Sequence, residues 1–299
     1  MHDTSILDDL HSELDVSLCY TAAIHGFWSQ IWAFRESWKF HAIGESRDSV
    51  HRLWLVTQQR ELYRQVEAFE QNLLSTRLAQ SEILIVAELL LMILHVSPEE
   101  LQRFAGKSGV DAASQAFASL EIWWDTEHAR RAVWHAGQVF RWASMFPPAE
   151  LRDFYAVAVY FASLALWSFG HLSISKNSFN SSKNHNNRAD LDDDGNGNFL
   201  VINSEEISGP RSFIAGRHSI PVLTHMTSKA GFDSTGTQHE KLVRLNNPNG
   251  VLQLARELYR NNFPMEGAPL PPLVENLGNL LRDLGGLPEN RFSSCVSPL

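Results

Sequence analysis

Thirteen histidines and 34 carboxylates set against 25 lysines and arginines give this chain the means to move protons or hold metal ions, wherever the fold gathers some of them. The densest stretch is EIWWDTEHARRAVWHAGQVFRW, residues 121–142, which contains His128 and His135. Two histidines on one helix share a metal ion when they stand three or four residues apart. Seven residues make two turns, about 10.5 Å along the axis, whereas a zinc–nitrogen bond is about 2.0–2.1 Å. The pair therefore cannot serve one ion from one helix. The expectation is that each ring is hydrogen-bonded at the edge of a core, on a helix whose buried stripe runs Ile122, Ala129, Val133, Ala136, Phe140 and Ala143.

The second cluster is DDDGNGNF, residues 192–199. It aligns on a calcium loop with Asp192, Asp194 and Asn196 as ligands, Gly197 at the turn and Phe199 at the apolar position. The twelfth position is Asn203, where a bidentate glutamate is needed, and no flanking helix pair is evident. An exposed Asp/Asn/Gly insertion is the simpler reading, with a calcium-responsive module as an alternative. A further alternative is an all-helical, magnesium-dependent enzyme of the prenyl-diphosphate type. Its acidic clusters would have to come from DDLHSE at 8–13 and from Asp192 to Asp194, which do not make two facing sets on core helices. There is no phosphate-binding glycine loop, no GxSxG elbow and no HExxH. Cys19 and Cys295 lack a nucleophile context and supply neither a disulfide framework nor a zinc module. The reading is that the chain has no catalytic, cofactor or metal site of its own and is not an enzyme.

These residues must be positioned by helices. Phe27, Ile31, Phe34 and Trp38 step by four, three and four along one face. Leu55, Leu62, Val66, Phe69 and Leu73 do the same in a second helix, with Glu61, Arg64, Glu67 and Glu70 read as its solvated side. ILIVAELLLMILHV at 83–96 is too short for a membrane span and predicts a buried helix. SPEE at 97–100 predicts a helix start, with Ser97 capping, Pro98 in the first turn and Glu100 closing a capping box. Gly106 and Gly109 supply a stop. FPP at 146–148 breaks the chain before an apolar helix over 149–169, for which Gly170 reads as the terminator. FLVI and FIAG read as extended segments, and final helices are expected around 250–262 and 271–284.

The fold class is therefore all-α: a multi-helix orthogonal or stacked bundle with a long polar loop insertion and short extended segments. The boundaries are an N-terminal tail at 1–15, a helical main body at 16–170, an Asn/Ser/Asp loop at 171–198, a C-terminal segment packing on the body at 199–288, and a tail at 289–299. A net charge of −9 argues against broad phosphate contact by this chain. The acidic first residues lack the pattern of a secretory signal, so the expected setting is intracellular and soluble.

Five phrases carry a resemblance: LHVSPEELQRFAGKSG at 94–109, ARRAVWHAGQVFRWASMFPP at 129–148, FYAVAVYFASLALWSFG at 154–170, FIAGRHSIPVLT at 213–224 and LNNPNGVLQLARELY at 245–259. In their order and helical character the chain resembles the regulatory region of fungal-specific transcription factors, in particular those in which it follows N-terminal C2H2 zinc fingers. The resemblance covers roughly residues 15–285, and its motif core is Trp134, His135, Gln138, Phe140, Trp167 and Gly170. It implies a nuclear transcription regulator whose helical domain does no chemistry. Such a domain works through other transcription-regulatory proteins, a second copy of itself or an effector, away from membranes. Zinc would belong only to an upstream finger region absent from these 299 residues, and DNA would be reached through that region or through a partner. The chain thus reads as a C-terminal fragment, a shortened product or a regulator that has lost its DNA contact.

Overall fold

The stretch EIWWDTEHARRAVWHAGQVFRW is two helices rather than one. In the structure, a computed structural model that describes residues 15–43, 49–76, 80–183, 199–205, 208–216, 219–225, 241–264 and 269–286, a helix ends at Trp124 and the next begins at Glu127. Thr126 makes the break: its Oγ accepts from the Ala129 N–H at 3.2 Å and donates to Trp123 O at 2.6 Å. That is an N-cap reset, and it changes the helical phase. Ile122 consequently falls off the expected stripe and is 78% exposed, while Ala129, Val133, Ala136, Phe140 and Ala143 are buried.

Ten helices are formed among the described residues. They are α1 (Val16–Ile43), α2 (Ser49–Ser75), α3 (Ser81–Ile93), α4 (Pro98–Phe104), α5 (Val110–Trp124), α6 (Glu127–Ser144), α7 (Asp153–Lys183), α8 (Ser208–Ile214), α9 (Pro248–Asn262) and α10 (Pro272–Gly285). The architecture is all-α with a small mixed sheet. Strand β2 (Ile220–His225) lies centrally, parallel to β1 (Phe199–Val201) and antiparallel to β3 (Lys241–Arg244). Leu200 stands opposite Pro221, and Leu223 opposite Val243. FLVI is thus a strand as expected, but FIAG closes a short helix.

The centre is α3. Every residue of it from Ile83 onward is buried, Glu88 included, as a helix apolar on all sides requires. It packs against α6 and α7, and α1 and α2 also lie on it. At the next helix Ser97 caps as predicted, its Oγ accepting from the Glu100 N–H at 3.4 Å. The capping box does not close, because the Glu100 carboxylate pairs with Arg103 at 2.7 Å instead.

Gly170 does not terminate α7, which runs on to Lys183. Its lack of a side chain serves packing: a Cβ there would strike the carbonyl oxygen of Leu245. Gly137 of α6 meets the carbonyl of Ile202 in the same way. Helix α7 is also long and apolar enough over Asp153–Lys176 to cross a membrane by length and composition, and 67% of its most apolar window is buried inside the molecule. The FPP turn precedes it, and α7 begins at Asp153 rather than 149. Asn262 at the end of α9 holds that turn. Its Oδ1 accepts from the Leu151 N–H at 2.9 Å and its Nδ2 donates to Pro147 O at 2.8 Å.

Candidate functional site

Helices α2, α3 and α6 enclose a cluster of titratable side chains that the core would be expected to reject. Glu88 sits at the middle of α3 and is fully desolvated, so its carboxyl is pushed up from 4.5, burial being the main cause. His135 of α6 places Nδ1 2.7 Å from Glu88 Oε2, and its other ring nitrogen is 3.2 Å from the Tyr63 hydroxyl. Burial also pulls His135 down from 6.5. Both shifts favour the uncharged partners, so the contact is a hydrogen bond between neutral groups rather than an ion pair. Glu70 of α2 shares a side-chain hydrogen bond with Glu88, and burial followed by that neighbour pushes its carboxyl up as well. Two carboxyls this close in a dry site retain at least one proton between them.

The cluster continues toward the end of α3. Tyr63, pushed up to about 12 chiefly by burial, lies with its ring 5.2 Å from that of His95 and under the Arg131 guanidinium at 5.0 Å. His95 and His135 are stacked, with ring centroids 6.4 Å apart and planes 8° from parallel. The Nδ1 atoms of His95 and His128 are 2.9 Å apart, so one ring donates and the other accepts. Burial holds His95 well below its ordinary value and lowers His128 too. The main chain here is fixed by two side chains: the Trp123 indole donates to His95 O at 2.9 Å, and the buried Gln59 amide donates to Leu94 O. At His95 Nε2 the chain of contacts stops, since that atom is buried without a hydrogen-bond partner among the described residues.

His95 and His128 are among the residues that line a cleft of about 670 Å³. Its apolar wall is Phe34 and Trp38 of α1, Leu94, Val96, and Leu120 and Trp123 of α5; Arg35, Lys39, Glu99, Glu100 and Arg103 supply charge. This is the size and composition of a small-molecule site. The arrangement can hold protons in a fixed pattern and can present neutral imidazole to a ligand. No three His, Cys, Asp or Glu side chains among the described residues converge on a metal position.

The two histidines singled out in the sequence have separate partners, as their spacing requires, but His135 lies in the core rather than at its edge. Glu70 is not on a solvated face. Of the other motif-core residues, Trp134 is half-buried, and Gln138 is buried and donates to Ile202 O at 2.8 Å and Ser204 O at 3.0 Å. Phe140 is in the core, and Trp167 packs 5.2 Å from Phe104. Asp192, Asp194 and Asn196 lie outside the described residues, as does the 8–13 acidic segment. Asn203, the twelfth position of the calcium alignment, has its side chain engaged with Thr224 main-chain atoms at 2.8 and 3.0 Å.

Sequence inspection missed Tyr63, Glu88, His95 and Arg35. One signal was present: Glu88 is a lone carboxylate inside fourteen otherwise nearly unbroken apolar positions, 83–96, and buried carboxyls need partners. Compared with models of protein families, with curated proteins and with solved structures, the chain gives no significant match.

Proposed function

We propose that the chain is the regulatory region of a transcription regulator of the fungal type, a helical module that acts by contacting other regulatory proteins or by sensing a small effector. In this reading it works in the nucleus, and its DNA contact is supplied by another region or a partner. The observation that supports it best is the convergence of the resembling phrases. The phrases at 94–109, 129–148, 154–170 and 245–259 supply α4, α6, α7 and α9, which pack about one core. The fourth phrase is joined to it where the Arg130 guanidinium donates to Ile214 O at 2.9 Å. The features that make these phrases recognisable are also packing features: Gly170 against Leu245, Gly137 against Ile202, and Gln138 bonded to the segment after β1. A sensing role suits the cleft, whose lining includes the mutually hydrogen-bonded His95 and His128.

Fusion of residues 15–286 to a heterologous DNA-binding module, read by a reporter gene and by co-purification of bound proteins, tests this. Activation, repression or recruitment of transcriptional proteins is expected. A fusion that is folded and bound to its DNA site yet does none of these under any growth condition would exclude the regulatory role.

A further inference from the structure

We infer that the cleft between α1, α4, α5 and α6 binds a small organic carboxylate with an apolar body, an aromatic or medium-chain acid, with its carboxylate on Arg35. The inference deepens the effector-sensing part of the proposed function and rests on that reading only for its biological purpose.

Among the described cations that line the cleft, Arg35 alone has no direct acceptor. Lys39 is 2.8 Å from Glu99, and Arg103 is 2.7 Å from Glu100, so two of the three lining cations are already neutralised by the two lining anions. Glu36, outside the lining, reaches the same lysine at 2.8 Å. Burial pulls both lining histidines, His95 and His128, below their ordinary value. Arg35 is left over: among the described residues it makes no ion pair and no hydrogen bond, and its Nε is sealed from solvent without a partner. Burial pulls it below the ordinary guanidinium value, with Glu99 foremost among the neighbours that resist. A guanidinium nitrogen that has lost water without gaining an acceptor is unfavourable, and the planar fork of Arg35, which lines the cleft, matches a carboxylate.

The rest of the cleft describes the remainder of the ligand. Phe34, Leu94, Leu120 and Trp123 offer apolar and aromatic surface to its body. A volume of about 670 Å³ admits one ring system or a chain of medium length and is within the range of small-molecule sites. A bare inorganic anion would leave this wall wet, and a cation would meet Arg35.

The test uses the full chain and three probes that differ only in their head group: octanoate, octan-1-ol and octylamine, titrated by calorimetry at pH 7. A change in tryptophan fluorescence, to which the lining residues Trp38 and Trp123 contribute, provides a second readout. Octanoate is expected to bind about tenfold or more tighter than either other probe, and Arg35→Gln should bring it down to the level of octanol. Ser119→Trp, at an exposed lining position, should block all three probes. Melting of each variant checks that it is folded. Equal affinity for octanoate and octanol, no binding of octanoate, or octanoate binding unaffected by either substitution would overturn the assignment. Loss of binding while the reporter fusion still regulates would sink this inference alone. Binding that follows the expected pattern with an inactive fusion would support the inference and count against the transcriptional role.

Discussion

Glu88 is compatible with its place in ILIVAELLLMILHV because it keeps its proton, and the pH dependence of stability should show this. His95, His128, His135 and His171 all have folded values below 6.5, mainly through burial. The unfolded chain therefore binds more protons on them, and their contribution is lost as pH falls below 6.5. Glu70 and Glu88 behave oppositely: raised from 4.5, they are more protonated when folded, and their contribution is lost as pH rises from 4.5 toward their folded values. Of these six groups, the histidines outweigh the carboxyls well below 6.5, whereas the carboxyls dominate well above it. The melting temperature is expected to peak near pH 6.5 and to fall on both sides. Glu88→Gln keeps a donor and an acceptor opposite His135 but cannot ionise. It should remove up to about 1.4 kcal/mol per pH unit from the alkaline slope. Glu88→Leu leaves the His135 ring nitrogen unpaired and should cost about 1–3 kcal/mol. Denaturant titrations of both variants at pH 6.5 and 8 check this. An alkaline slope that is the same with Gln at position 88 would show that the proton is not held there.

Helix α7 shows what a linear pattern conveys and what it omits. Its apolar character was legible from FYAVAVYFASLALWSFG, as were the buried face of α2, the Ser97 cap and the positions of α9 and α10. Gly170 was misread because the same residue serves as a terminator and as a point of close approach, and only the partner distinguishes them. That partner, the Leu245 carbonyl, is 75 residues away. The break at Thr126 was missed because Thr126 and Glu127 sit within an otherwise continuous helical pattern. The solvated face assigned to Glu70 failed for a related reason: periodicity gives the side of a helix but not what covers it. Glycine substitutions separate these cases. Gly170→Ala is expected to push α7 from the segment before α9 and to destabilise by about 1–3 kcal/mol or more. Gly278→Ala, on α10 with no atom of the described residues near the added methyl, should stabilise by about 0.5–1 kcal/mol. Thermal unfolding of the two proteins compares them directly. If Gly170→Ala is as stable as the parent, the close approach of the two backbones is wrong.

The same cross-chain contacts determine whether the described parts of the molecule behave as one body or two. A boundary after 170 separates a helical body from a C-terminal segment, yet the buried cluster runs from Ile24 of α1 to Leu284 of α10 without a gap. Polar ties cross that boundary at points where their loss would leave buried groups unpaired. The Tyr259 hydroxyl donates to Ala156 O at 2.7 Å, and Asn262 holds the turn before α7. Neither side can open without stranding these groups, so unfolding is expected to be a single cooperative event. The chain supplies its own probes for the two sides. All nine tryptophans lie between residues 28 and 167, so their fluorescence reports the helical body alone. Amide exchange at Val251, Leu252, Leu254 and Ala255 of α9, all buried, reports the other side. The two measurements should give the same opening free energy within error, and Asn262→Leu should lower both equally. If α9 exchanges through a lower-energy opening while the tryptophans remain native, the C-terminal segment is a separable layer. An effector in the cleft, whose walls come from α1 to α6, would then act on the helical body without being felt by α9. A shared opening free energy would instead mean that stabilising the cleft by occupancy stabilises α9 to the same extent.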